Sequence, residues 1–149
     1  MPKAIIVGGG IGGLTAALAF HAFGWKVDVL ERASELGEIG AGIQVSPNGM
    51  KVFRALGIED RVSRQANAVH LGAECEGYQI TELGVGVTLK SGETIEGDLL
   101  VGADGIHSVI RTQMLGPDRP DFTGNMAWRA VVPMERLGTL APPPTACIW

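Results

Sequence analysis

The sequence predicts an α/β fold: a parallel sheet built on a βαβ unit, followed by an antiparallel β-meander. Three observations predict it. An unbroken apolar run, Ala4-Ile5-Ile6-Val7, has the character of a strand buried on both faces. A glycine turn, Val7 to Gly13, follows and opens into a run with helical spacing. Further on, short alternating runs broken by glycine lead to a second continuous apolar run, Leu99-Leu100-Val101.

The glycine turn reads Gly8-x-Gly10-x-x-Gly13, and each glycine has its own task. Gly8 allows the tight turn out of the strand. Gly10, without a Cβ, lets a pyrophosphate approach the backbone. Gly13 lets the helix lie close to the strand. Ile11 and Gly12 fall in the first helical turn, where N–H groups lack intrahelical partners and the helix dipole favours negative charge. Leu14, Ala17, Leu18 and Ala22 recur at helical steps, predicting a helix to Phe23 with Gly24 as its stop. Lys26 to Leu30 is a second strand that delivers Glu31 at its carboxyl end, 18 residues past Gly13. An acidic residue about 20 positions on reaches the ribose hydroxyls of an adenine dinucleotide. The competing reading is a glycine-rich turn without a ligand, which a chain with 22 glycines also produces.

Residues 33–42 form a loop rich in Gly and Glu, in which Gly40-Ala41-Gly42 lets backbone pass close to a ligand. After Ile43-Gln44-Val45, Ser46 and Pro47 predict a helix start; Val52, Phe53 and Leu56 supply its buried face, and Gly57 ends it. Glu59 to Arg64 reads as a short polar helix or turn. His70 to Lys90 predicts the meander, with Ser91-Gly92 as a hairpin turn between Val85-Val87-Leu89 and Thr94-Ile95. Leu99-Leu100-Val101 is expected parallel to and beside Ala4–Val7. Asp104 then follows the carboxyl end of a strand, where open α/β sheets bind ligands. Ser108 caps a helix to Leu115, stopped by Gly116-Pro117.

The totals narrow the function. In 149 residues, enough for a real core, 46% are apolar and 5% aromatic, which suits an Ala/Val/Ile/Leu α/β core. A net charge of −4 argues against nucleic-acid and anionic-membrane partners. No run is long enough to span a membrane, and the start of the chain lacks a signal-peptide pattern. Cys75 and Cys147 match no metal or redox spacing, and His21, His70 and His107 are scattered. A cytoplasmic protein with reduced thiols and no metal site is expected.

Several motifs resemble one family. Gly8-Gly9-Gly10-Ile11-Gly12-Gly13-Leu14, Val29-Leu30-Glu31-Arg32 and Gly40-Ala41-Gly42-Ile43-Gln44-Val45-Ser46-Pro47-Asn48 are similar to the N-terminal third of FAD-dependent aromatic hydroxylases. These are single-component flavoprotein monooxygenases such as salicylate hydroxylase and 3-hydroxybenzoate 6-hydroxylase. Leu99 to Arg111 resembles the family's Asp-Gly fingerprint, and Ala127-Trp128-Arg129-Ala130-Val131-Val132-Pro133 the strand that opens its substrate domain.

The resemblance implies a Rossmann-like FAD-binding domain over residues 1–118, shortened near residues 66–69, and only the start of a substrate-domain sheet over 119–149. It implies FAD as cofactor, NAD(P)H as electron donor and a small aromatic substrate, with one oxygen atom of O₂ transferred to the ring. The cofactor-binding residues it implies are Gly8, Gly10, Ile11, Gly12, Gly13, Glu31, Arg32, Gln44, Asp104 and Gly105; it names no catalytic residue. Asp-Gly is also a common turn pair, and Arg32 is nearly as well read as a surface charge. Arg111 is read as a partner of Asp104 or of a phosphate, or as an exposed helix charge. The Gly-Asp-Ala-Ala-His-like motif and most of the substrate domain are absent. Exposed apolar surface covered by a second copy, and FAD held more weakly than by full-length relatives, are therefore expected. A non-catalytic FAD- or nucleotide-binding remnant and an NAD(P)-dependent dehydrogenase remain as alternatives. The Asp-Gly motif and the Gly40–Asn48 loop favour the flavin family, since holding NAD needs neither.

Overall fold

The computed structural model describes residues 1–35, 69–117 and 119–126, with Ala55, Arg136 and Gly138 as single positions. Apart from Ala55, residues 36–64 of the expected loop and helix, including Gln44, lie outside the described residues, as do Trp128, Arg129 and Cys147. The chain divides into two compact units, Met1–Gly37 with Gln44–Asp121 and Glu38–Ile43 with Phe122–Trp149. In the second unit, residues 122–126 form no helix or strand, and Phe122 and Met126 are exposed.

The described strands and α-helices from Lys3 to Leu115 belong to the first unit. In chain order they are β1 (Lys3–Val7), α1 (Ile11–Ala22), β2 (Lys26–Glu31), β3 (Val69–Leu71), β4 (Cys75–Thr81), β5 (Gly84–Leu89), β6 (Thr94–Gly97), β7 (Leu99–Gly102) and α2 (Val109–Leu115). Four strands make a parallel sheet in the order β3-β2-β1-β7, and β4-β5-β6 make an antiparallel meander.

The register explains why β1 is apolar from Ala4 to Val7. Ile5 lies opposite Asp28 and Leu100, and Ile6 opposite Val29 and Val101. Because side chains alternate, each face of this central strand needs its own apolar cover. Ile6 packs with Val27, Val29 and Ala17 on the α1 side. Ile5 and Val7 pack with Leu30, Val87, Leu89, Ile95 and Ile110 on the meander side. Ala4, Ile5 and Ile6 are fully buried.

Two expectations change in detail. Val69–Leu71 is not the first strand of the meander; it is an edge strand of the parallel sheet, with His70 opposite Leu30. The chain turns only afterwards, where Gly72 (φ +69) donates its N–H to Ala33 O and Ala73 donates to Glu31 O. A three-residue alternating run carries no mark of its partner strand, so its sheet was not legible. The apolar face of α1 is also rotated from the expected one: Ala17 is buried, Leu14, Ala16 and Phe20 pack beside it, and Ala22 is exposed. The helix is apolar nearly all round, so periodicity alone cannot choose its face. The choice falls to buried Gly13, which must face the strand, with Ala16, Ala17 and Phe20 three, four and seven residues on. Phe20 then meets Trp25 edge-on at 5.3 Å.

The other boundaries follow the sequence reading. Gly24 (φ +79) lies just beyond the end of α1, Gly92 (φ +87) turns the β5–β6 hairpin, and β7 runs parallel beside β1. Ser108 caps α2, its Oγ accepting from Arg111 N, and Gly116 closes it.

The meander-side face of the parallel sheet also carries a cross-strand charge cluster. Asp28 pairs with Lys3 Nζ at 2.7 Å and lies 3.4 Å from His70 Nε2, linking β1, β2 and β3. Partial burial opposes ionisation of Asp28, but hydrogen bonds and charge from Lys3 and His70 outweigh it and hold the carboxyl below its ordinary value.

Candidate nucleotide-binding site

The site grows out of the carboxyl end of β1. Gly8 leaves the strand at φ +108 and donates its N–H to Leu30 O at 2.8 Å. A Cβ on Gly8 would lie 2.2 Å from Ala103 O, and one on Gly13 would lie 1.9 Å from Gly8 O. These two glycines are required by the protein's own packing: the turn is wedged between the Ala103 backbone and the first turn of α1.

Gly10 and Gly12 are different. A Cβ on either meets nothing within 4 Å, and both are exposed. Gly10 caps α1 without a side-chain hydrogen bond, and the first helical bond runs from Leu14 N to Gly10 O at 2.9 Å. The N–H groups of Ile11 and Gly12 precede that bond and have no helical acceptor. The first turn holds no acidic residue to occupy the positive end of the dipole. The turn therefore presents bare backbone donors to open space, at glycines that cost helix stability and whose smallness serves no described neighbour.

Glu31 closes the mouth of the turn from the end of β2. Its Oε2 accepts the Gly9 N–H at 2.6 Å and its Oε1 the Ala33 N–H at 2.8 Å. The carboxylate is thus held in place from both sides, and each oxygen keeps lone-pair capacity for a hydroxyl donor. A Cβ on Gly9 would lie 2.9 Å from Glu31 Oε2, so Gly9 is what lets the carboxylate approach. The sequence reading passed over Gly9, Ala33 and Ala103. The unbroken Gly8-Gly9-Gly10 run was the signal for the first; the other two act through backbone atoms and leave none.

Asp104 is aimed at α2. Its Oδ1 accepts from Ser108 Oγ at 2.6 Å, and its Oδ2 from Val109 N at 2.7 Å and Ile110 N at 3.2 Å. Its backbone nevertheless abuts the glycine turn: a Cβ on Gly8 would lie 3.0 Å from Asp104 N. Gly105 (φ +79) is exposed beside it. Arg111 donates from Nη2 to Ile106 O at 2.7 Å. Arg32 is exposed just past Glu31. The fold thus brings the glycine turn, Glu31 and the 103–105 turn together at one end of the sheet.

Cys75 is no nucleophile. It is buried in the meander-side core, where desolvation, reinforced by the charge of Asp104, pushes its thiol up despite contact with the Gly77 carbonyl.

A parallel sheet with open backbone donors at the first βα turn and an anchored carboxylate after the second strand defines a Rossmann-like dinucleotide-binding protein. Comparison with known proteins gives the family. The profile described as pyridine nucleotide-disulphide oxidoreductase matches residues 1–116, and the chain belongs to that family.

The chain is also similar to aromatic monooxygenases. It is 34% identical over 184 aligned positions to 3-hydroxybenzoate 6-hydroxylase of Polaromonas naphthalenivorans (strain CJ2), covering 86% of this chain and 46% of that protein. It is 32% identical over 200 positions to 3-amino-4-hydroxybenzoate 2-monooxygenase PtnB3 of Streptomyces platensis, covering 99% and 50%. Among solved structures, Klebsiella pneumoniae HpxO complexed with FAD and uric acid superposes with a TM-score of 0.67 at 27% identity, over 75% of this chain and 41% of that one. The chain thus spans about half the length of the curated relatives it matches. The alignment of 200 positions exceeds the 149 residues of the chain, so that relative carries residues inside the matched stretch that this chain lacks.

Proposed function

We propose that this chain binds FAD and forms the cofactor-binding part of an NAD(P)H-dependent monooxygenase acting on a small aromatic acid or phenol. The observation that carries the reading is the pair Gly10 and Gly12, open to space at the bare N-terminus of α1, with Glu31 anchored beside them. A diphosphate fits that space: its oxygens accept the first-turn N–H groups of α1 and its charge suits the dipole. The adjacent ribose diol fits Glu31, which offers one free acceptor site on each of two oxygens. Arg32 borders the adenine side. The backbone of Asp104 and Gly105 borders the opposite wall of the turn, and Gln44 is assigned to the flavin and substrate side.

When bound, the flavin supplies the redox chemistry, accepting electrons from NAD(P)H and delivering an oxygen atom of O₂ to the ring. This chain's residues bind and orient it: backbone donors hold the diphosphate, and one carboxylate fixes the ribose. No side chain among them is assigned a proton transfer. The start of a substrate domain over residues 119–149, a second copy against exposed apolar surface and a cytoplasmic location complete the proposal.

Absorbance of the purified chain tests it. Bands of bound flavin, with NADH or NADPH oxidation stimulated by an aromatic acid, support the whole reading. Bound flavin without turnover confines it to cofactor binding. Tight NAD binding with no flavin overturns it in favour of a dehydrogenase.

A further inference from the structure

The Gln113 side chain does something the nucleotide reading does not use. Its Oε1 accepts the Tyr78 N–H at 2.9 Å, and its Nε2 donates to Tyr78 O at 2.5 Å. Tyr78 sits on β4, which pairs with β5 and forms one edge of the meander. A primary amide that meets the N–H and C=O of one strand residue imitates the next strand of the ladder. A Cβ on Gly77 would lie 3.1 Å from Gln113 Oε1, so the neighbouring glycine leaves room for the amide.

We infer that Gln113 is a positioning residue for the nucleotide mouth, resting on the FAD-binding reading above. Seven residues are too few for α2 to hold helical form unaided. Its N-terminus is fixed by Asp104 and Ser108, and Ile110 packs into the core against Gly102. One apolar anchor leaves the helix free to pivot; the Gln113–Tyr78 pair is a second anchor nearly one turn on. The other end of the same unit is Asp104, whose backbone lies against Gly8. Docking Gln113 on β4 therefore sets where the 104–105 turn stands relative to the diphosphate donors, although Gln113 itself is exposed and far in sequence from those donors.

The test compares the parent with Gln113→Ala and Gln113→Glu, using ADP and FAD as probes and amide hydrogen exchange as a local readout. Gln113 is exposed, so neither change opens a core cavity. Gln113→Ala is expected to speed exchange across residues 104–112 and at Tyr78, while β1 and β2 stay protected, and to weaken ADP binding about three- to tenfold. Gln113→Glu keeps the acceptor for Tyr78 N–H but, when ionised, sets a negative oxygen against Tyr78 O. Once protonated it is shaped like the amide and donates again. Its exchange and affinity should therefore return toward the parent values between about pH 7 and about pH 4, where an exposed carboxyl takes up its proton, relative to the parent at each pH. That rescue assigns the effect to the amide pair with Tyr78, and the ADP affinity separates a link to the mouth from anchoring alone. Unchanged exchange at 104–112 in Gln113→Ala overturns the inference, whether or not nucleotide binds. Faster exchange there with unchanged ADP affinity overturns the link to the mouth. Failure of the parent itself to bind ADP or FAD overturns the FAD reading instead, and the exchange comparison still decides the anchoring.

Discussion

Replacing Glu31 with Gln is the sharpest perturbation of the site, because the change is nearly isosteric and every contact it alters is on view. Each carboxylate oxygen accepts one backbone N–H, from Gly9 at 2.6 Å and from Ala33 at 2.8 Å. An amide has one acceptor oxygen, so one of these N–H groups must face an NH₂. Hydrogen bonds to a charged acceptor contribute about 1.5–3 kcal/mol each, against about 1 kcal/mol for a neutral one. Losing one and weakening the other costs about 2 kcal/mol of stability. For a chain of this size that lowers Tm by roughly 4–8 °C.

The effect on ligand is larger in kind. The parent offers both ribose hydroxyls a charged acceptor; the variant offers one neutral acceptor and one donor. Losing one charged contact weakens ADP by about ten- to a hundredfold. Titration calorimetry with ADP and 2′-deoxy-ADP isolates the contact. The parent should prefer ADP, and Glu31→Gln should lose most of that preference. If Glu31→Gln bound ADP within twofold of the parent, or kept the parent's discrimination against the deoxy compound, Glu31 would be a structural clamp on Gly9 and Ala33 and nothing more.

Other substitutions separate packing glycines from ligand-facing ones. Gly13→Ala places a methyl 1.9 Å from Gly8 O, a backbone atom that cannot rotate aside, so α1 must move off β1. A loss of about 3 kcal/mol in urea unfolding is expected, the upper end of overpacking costs. Gly10→Ala meets no neighbour, so its melting temperature should stay within roughly 2 °C of the parent while ADP binding falls at least about tenfold. Asp104→Ala removes three acceptor contacts from the start of α2 and should cost about 2 kcal/mol, read as lower Tm and faster amide exchange over Val109–Leu115. The Asp28 carboxyl is held below its ordinary value of 3.8, so its contribution is full above that pH and is lost as pH falls through its lower folded-state value. The stability gap between the parent and Asp28→Asn should accordingly narrow as pH falls below about 4 in urea titrations at each pH.

Composition and spacing alone determined much of this molecule. Apolar runs with no polar alternation suit strands of a parallel sheet, so Ala4–Val7 and Leu99–Val101 were legible as neighbours; the first is buried on both faces, while the second is an edge strand with Leu99 exposed. The glycine turn and the distance to Glu31 were legible because backbone chemistry at a βα turn leaves few residue choices. The turns at Gly24, Gly92 and Gly116 were legible for the same reason.

Tertiary structure decided what depends on partners distant in sequence. It assigned Val69–Leu71 to the parallel sheet, since three residues do not name the strand they pair with. It rotated α1 so that Gly13 faces the strand, a choice made by the 1.9 Å that a side chain would leave, not by hydrophobic period. It turned the Asp104 side chain onto the helix that follows, because the first N–H groups of that helix lack intrahelical acceptors and take its carboxylate. And it divided the glycines of the turn into those whose Cβ would strike the protein and those facing open space, a distinction of position that five identical letters cannot carry.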